Sequence, residues 1–267
     1  MKIIYLILFF SYSAYAQTNL FIYDMEAKPK PDDSTYVEHK EFLLENNQKK
    51  SVFRTSYEKR SDSLIHTGSF GLGRDKNYEK QIYTIKDLGS GEVYKSFVTT
   101  DRKYYLVKIE EPLNWEVQQE TFTYTNFKVQ KAKVNYGGRS WEAWFTTDVP
   151  ISDGPYVFKG LPGLIVKIFD TNKEYVFTLK EIKKNANSEL YLRKGGIEMN
   201  FATFKKLMMN YYQDPYSEQK ARNRPIYKEG SDGSAVKYGF YEATKDVQSL
   251  VRKYNNPIEL NYKNEYE

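Results

Sequence analysis

Leu164-Ile165-Val166-Lys167-Ile168-Phe169, followed by Asp170-Thr171-Asn172-Lys173-Glu174 and then Tyr175-Val176-Phe177-Thr178-Leu179-Lys180-Glu181-Ile182, is the stretch that decides the fold. Two apolar, β-favouring runs flank a short polar turn, a pattern that predicts an antiparallel hairpin. The same pattern recurs upstream. Residues 127–135 lead into a Tyr136-Gly137-Gly138 turn and continue as 139–146. Alternation on that second strand puts Trp141, Ala143 and Phe145 on one face and Glu142, Trp144 and Thr146 on the other. Residues 93–99 and 104–109 flank Thr100-Asp101-Arg102-Lys103, another hairpin. Residues 20–23, 36–44 and 51–54 predict three further strands, with a polar turn at Asn46-Asn47-Gln48. Residues 58–80 carry Gly68, Gly71 and Gly73 and read as an irregular loop.

Beyond residue 195 the period changes. Phe201, Phe204, Leu207, Met208 and Tyr211 recur at helical spacing, as do Val247, Leu250, Val251 and Tyr254, with Pro257 just past the end. Residues 213–240 are polar and rich in Pro and Gly; they read as a loop with a short helix near 218–222. The expected fold is α+β and β-dominated: a curved, half-barrel-like antiparallel sheet with two C-terminal helices. One domain spans 17–267, β-rich over 19–185 and helical over 200–256.

Residues 1–16 read as an export signal. Lys2 supplies the charge, residues 3–10 the apolar core, and Ala14-Tyr15-Ala16 a small-x-small cleavage site. The apolar run is shorter than the roughly 20 residues a membrane span needs. No Cys follows it, so lipid attachment at a cysteine has no acceptor; the chain has none at all. An exported protein without disulfides must be stabilised by packing alone. The 40 basic and 35 acidic residues are interspersed, and a net charge of +5 gives no segregated basic stripe for nucleic acid. The destination expected is the periplasm or the medium.

Familiar catalytic constellations are missing. The two histidines, His39 and His66, form no H-E-x-x-H, and two His without Cys do not build a typical structural zinc site. No G-x-S-x-G elbow is present. Gly68-Ser69-Phe70-Gly71-Leu72-Gly73 has the wrong spacing for a dinucleotide loop. No metal ligand set, catalytic residue or cofactor is therefore assigned. Asp148 and Asp153 bracket a Val149-Pro150-Ile151 loop and are the best acid–base pair; as turn caps they have an equally ordinary role.

Residues 160–165 read Gly160-Leu161-Pro162-Gly163-Leu164-Ile165. With residues 143–159 and 166–168, this hexapeptide resembles the signature of the GLPGLI family, secreted proteins of Bacteroidetes-type bacteria. Leu113-Asn114-Trp115 resembles the family's "L-x-W", Lys131-Ala132 and Gly138-Arg139 its "KA…GR", and residues 255–260 its closing "NPIEL". Where many relatives carry a Cys before the Lys-Ala pair, this chain has Gln130. The family brings no established activity. The resemblance implies an envelope protein associated with outer-membrane receptors or transporters.

Pro and Gly in the hexapeptide fit tight turns, with Gly163 expected at positive φ. The same rigid loop, set among aromatics, is also how a binding edge is built. Arg139, Trp144, Asp148, Asp153 and Tyr156 are the candidate binding residues, with Arg139 placed to clamp a carboxylate. Trp141 and Trp144 face opposite ways, and Trp144, sharing its face with Glu142, is expected outward. The functional expectation is a non-enzymatic binding or accessory protein holding a peptide, lipid or receptor segment. The alternative is a carboxylate-dependent periplasmic hydrolase. Amino-terminal sequencing of envelope-fraction protein is expected to begin at Gln17; a membrane-embedded mature chain that retains Met1 would overturn the signal.

Overall fold

The computed structural model describes residues 18–47, 49–186, 190–193 and 195–267. The predicted signal and its cleavage site lie outside them.

Two meanders meet in one sheet. The first runs β1 (Thr18–Ala27), β2 (Glu38–Asn46), β3 (Lys50–Arg54), β4 (Thr84–Asp87), β5 (Val93–Val98) and β6 (Tyr104–Lys108). The second runs β7 (Glu116–Tyr124), β8 (Phe127–Tyr136), β9 (Arg139–Thr146), β10 (Leu164–Asp170) and β11 (Tyr175–Ala186). β11 returns to pair antiparallel with β1, which joins the two halves. The short β12 (Ile197–Met199) then adds to the far edge beside β6, in parallel. The resulting order is β12-β6-β5-β4-β3-β2-β1-β11-β10-β9-β8-β7. The sheet is therefore mixed rather than purely antiparallel, because the chain reaches its far edge by a crossover. It does not close into a barrel; β12 and β7 are its edges.

The helical layer is α2 (Phe201–Gln213), α3 (Ser217–Ala221) and α4 (Phe240–Lys253), with a small hairpin of β13 (Ile226–Glu229) and β14 (Ala235–Tyr238) between α3 and α4. Phe201, Phe204 and Met208 of α2 and Val247 and Val251 of α4 pack on Tyr78, Phe97 and Val107. The predicted helical periodicity is thus the face buried against the sheet. The hairpin falls where the sequence reads as loop; its strands are largely exposed and carry no apolar alternation to announce it.

One more helix was not expected. α1 (Ser56–His66) begins two residues before the stretch read as irregular loop and occupies its first part. Thr55 caps it: its hydroxyl accepts from the Glu58 N–H, and the Glu58 carboxylate accepts from the Thr55 N–H at 2.9 Å. Its buried residues are Glu58, Ser61 and Asp62, so the buried face is polar and leaves no apolar stripe in the sequence.

Strand alternation sorts the sheet into two faces. Tyr23, Phe42, Leu44, Phe53, Lys86, Lys95 and Trp141 lie on the inner face, with the signature loop and the C-terminal segment over it. Glu45, Arg54, Tyr83 and Ser96 lie on the outer face beneath α1 and residues 190–193. Both faces are covered in the first meander, which is why β3 is buried from Ser51 to Arg54.

Glu79 sits in a buried 3₁₀ turn (Tyr78–Lys80), and its Oε2 has no hydrogen-bond partner. Burial lifts its pKa to about 7; the Glu259 charge adds to the shift, and Lys95 and Lys263 oppose it. The unfolded carboxyl titrates near 4.5. Between these values the native state binds more protons, so this contribution to stability is complete below the lower value. It is lost as pH rises through about 7. Urea unfolding from pH 5 to 8 is expected to show a decline on the order of 1–3 kcal/mol from this group. Glu79→Gln should flatten that decline and be the more stable protein at pH 8; an unaltered slope would show that Glu79 is not its source.

Candidate functional site

The signature loop, residues 147–163, folds back over the inner face and is fastened from several directions. Lys86 on β4 is fully buried and its ammonium lies 2.6 Å from Asp153 Oδ1. The same ammonium donates to the carbonyls of Gly154 and Phe158, at 2.5 and 3.3 Å. Asn46 of β2 donates to the other Asp153 oxygen at 2.7 Å. Burial lowers the Lys86 pKa, and Asp153 opposes that shift. Removing one member of such a buried pair strands the other charge, at a cost of about 3–5 kcal/mol.

Further bonds complete the frame. Thr84 donates to the Tyr156 carbonyl, Tyr23 to the Ile165 carbonyl, and the Trp115 indole to the Lys159 carbonyl. Tyr156 adopts φ 52°, a left-handed conformation uncommon for a bulky residue. It is held there by its buried ring and by its hydroxyl, which donates to Glu259 Oε1 at 2.5 Å. Tyr136 donates to the same oxygen at 2.9 Å, and Lys95 reaches Glu259 Oε2 at 3.3 Å. Burial first, and then the Glu259 charge, raise both tyrosine pKa values well above normal.

Arg139 does clamp carboxylates, but they are the protein's own. It is 5% exposed and pairs with Asp170 and Glu174 at 3.2 and 2.5 Å. It also donates to the carbonyls of Pro257 and Ile258 and to Asn256 Oδ1. The guanidinium thus binds the segment 256–258 into the fold, and no donor edge faces solvent as a recognition surface requires.

The other expected site residues are similarly dispersed. Trp141 is core and Trp144 half-buried, as alternation requires. Trp144 packs edge-on against Phe122 at 4.5 Å, beside Lys131, on the face opposite the loop. It therefore shares no surface with the buried Tyr156. Asp148 is exposed and accepts the Lys128 N–H at 3.1 Å. Asp153 is buried and ion-paired, so the two aspartates do not converge as acid and base. Of the hexapeptide, Leu161, Gly163, Leu164 and Ile165 are buried, while Gly160 and Pro162 face solvent. Sequence reasoning missed Lys86, Lys95 and Glu259, because nothing local marks a charge as buried.

What remains open beside the loop is a cleft of about 670 Å³. Leu88, Val93, Ile109, Leu113, Ile151 and Val157 form its apolar wall. Glu110, Glu111, Ser152 and Lys159 add polar groups. Glu111 is held by the Gly137 N–H and Asn261, whereas Glu110 is exposed. Such an arrangement suits recognition of an apolar group next to a cation.

A second feature is the surface group Asp24, Glu26 and His39, whose ligand atoms lie within 4.8 Å of one another. Lys180 approaches Asp24 at 4.0 Å, and a cation already beside a carboxylate competes with a metal there.

Residues 84–167 match a family model described as "Protein of unknown function (Porph_ging)". That description, rather than the GLPGLI name, is what the match carries. It takes in Lys86, Lys95, Trp115, Arg139 and most of the signature, and stops short of Glu259. No curated protein matches the chain. Among solved structures, PNGF-II is similar in both its C2 and its P21 crystal forms, each with a TM-score of 0.51 at 16% identity. The similarity covers 73% of this chain and 33% of PNGF-II, so the chain spans about a third of that protein's length. At this identity the likeness shows a shared fold and nothing of activity.

Gly163 has ordinary φ, contrary to the expectation of a left-handed turn; within the hexapeptide the glycine at positive φ is Gly160, at 98°. Gly163 is required for a different reason. A Cβ there would lie 2.0 Å from the Thr146 carbonyl oxygen, which is backbone and cannot turn aside. At Gly160 a Cβ meets only the Trp115 ring, at 3.8 Å. Gly163→Ala is expected to cost about 3 kcal/mol in urea unfolding, the upper end for overpacking because the obstacle is backbone, against about 1–2 kcal/mol for Gly160→Ala. Equal costs would show that close approach is not what selects Gly163.

Proposed function

We propose that the protein is an exported cell-envelope component that binds a peptide segment of a partner, such as an outer-membrane receptor or transporter, without catalysing a reaction. The observation that carries this reading is the apolar cleft with an exposed Glu110 beside a rigidly fastened loop. A preformed wall lowers the ordering cost of binding. The carboxylate favours a segment in which an apolar side chain adjoins Lys or Arg. Export rests on the sequence of residues 1–16; β1 starts at Thr18, so cleavage after Ala16 leaves every described strand whole. Register shifts place an extra residue in β11 opposite β1 and in β10 opposite β9, and bulges of this kind bend strands, in keeping with a curved, half-barrel-like sheet. No observation favours the hydrolase reading, whose carboxylate pair is split between surface and interior.

Short labelled peptides with an apolar residue flanked by Lys or Arg are expected to bind the mature protein, as read by fluorescence anisotropy. Glu110→Lys and Leu113→Ser should each weaken them at least tenfold while leaving the melting temperature near the parent's. If the peptides do not bind, or bind both variants as well as the parent, the cleft is not a peptide site.

A further inference from the structure

On the outer face, away from the signature loop, a second cavity of about 710 Å³ opens between α1, the 71–76 segment, the ends of β5 and β6, and residues 192–193. It shares no lining residue with the signature cleft. We propose that this cavity binds an amphipathic carboxylate, with the anionic head against Arg74 and Arg193 and an apolar chain along Ile65, Leu72, Val98 and Leu192.

The charge around the cavity is unbalanced. Its lining carries Arg74, Lys76, Arg102 and Arg193 against Asp62 and Asp75. That leaves the lining net positive by two, and both carboxylates also accept hydrogen bonds within the fold. Asp62 accepts from Arg54, Tyr83 and Arg193, and Asp75 accepts the Asn77 N–H. The guanidinium groups retain spare donors. The Arg193 side chain is 4% exposed; it donates to Asp62 and Ser96, yet its Nη2 has no hydrogen-bond partner. Glu58 is its nearest acid on that side, 3.8 Å away and beyond hydrogen-bond reach. Arg74 is 10% exposed and holds the Leu72 and Gly73 carbonyls and the Ser61 hydroxyl, but its Nε is also unpartnered.

Two largely buried guanidinium groups, each with an unpaired N–H, line one cavity, and a small shift of either side chain onto a bound anion would recover the free energy that an unpaired buried donor costs. Burial and the Arg193 charge both lower the Arg74 pKa, the strain that an anion would relieve.

The remaining lining identifies what else the ligand carries. A bare inorganic anion would leave the apolar part of the wall uncovered. Arg193 lies on the Tyr83 ring, 3.9 Å from its centroid, which fixes the guanidinium plane against the wall. At the mouth, Arg102 approaches Phe70, whose ring is 82% exposed. An exposed Phe beside a cationic, partly apolar cavity suits a ligand with both a charge and a hydrocarbon chain.

Dodecanoate is the probe, titrated calorimetrically below its micellar concentration into the mature protein. One-to-one binding is expected. Acetate, which has the head without the chain, and dodecylammonium, which has the chain with the opposite charge, should each bind at least tenfold more weakly. Arg74→Gln should weaken dodecanoate at least tenfold. If that buried substitution impairs folding, Ile65→Glu decides the matter: Ile65 is half-exposed on α1, so the fold tolerates the change while a like charge enters the mouth. It too should weaken dodecanoate at least tenfold. Absence of dodecanoate binding to the folded parent, equal binding of dodecylammonium, or undiminished binding to Ile65→Glu would each overturn the proposal. Because Glu110 and Leu113 lie outside this cavity, their variants should bind dodecanoate as the parent does, which separates this result from the fate of the peptide cleft.

Discussion

The carboxylate of Glu259 is the point on which the inner face depends. It is buried, and it accepts from Tyr136 on β8, from Tyr156 in the signature loop, and pairs with Lys95 on β5. These partners lie in three parts of the chain separated by a hundred residues or more from Glu259. A buried charge is tolerated only when its partners are all in place. The C-terminal segment, the loop and the first meander therefore stabilise one another conditionally. Arg139 enforces the condition from the other side by holding the carbonyls of Pro257 and Ile258, which presents Glu259 to the tyrosines. The left-handed Tyr156 follows from the same arrangement: its backbone strain is offset by what its hydroxyl and ring gain in the interior.

Strands and helices with an apolar face were legible in the sequence, because period alone reports which face is buried. The 164–182 hairpin, the 127–146 meander and the two long C-terminal helices are of this kind. α1 was not, since its buried face is Glu58, Ser61 and Asp62, and a search for apolar stripes reads such a segment as loop. Its Thr55-to-Glu58 capping box was the signal available. β12 was illegible for a different reason: three residues pairing in parallel across the sheet are specified by the crossover and not by their own pattern.

The candidate site was half legible. Arg139 was singled out for the chemistry it performs, carboxylate and carbonyl recognition, yet the groups it recognises belong to its own chain. Sequence does not distinguish the two cases, because Asp170, Glu174 and residues 256–258 become its neighbours only after folding. Lys86 and Lys95 show the same limit more strongly. Lysine is almost never fully buried without a partner, and those partners, Asp153 and Glu259, are 67 and 164 residues away.

Fastening the signature so completely has a consequence for recognition. Trp115, Lys86, Asp153, Tyr156 and Arg139 have their polar groups committed to internal bonds, so their substitution would act first on folding. What is left for contact with another molecule is the lining that the frame holds in place: Glu110 and Leu113 beside the loop on one face, and the cavity walled by Arg74, Arg193 and their apolar neighbours on the other. The inner cavity pairs an apolar wall with an exposed carboxylate, and the outer one pairs apolar side chains with guanidinium groups. The inner lining carries Glu110 and Glu111 against Lys159, and the outer one four cationic side chains against two carboxylates, so the ligands proposed for the two cavities differ in sign.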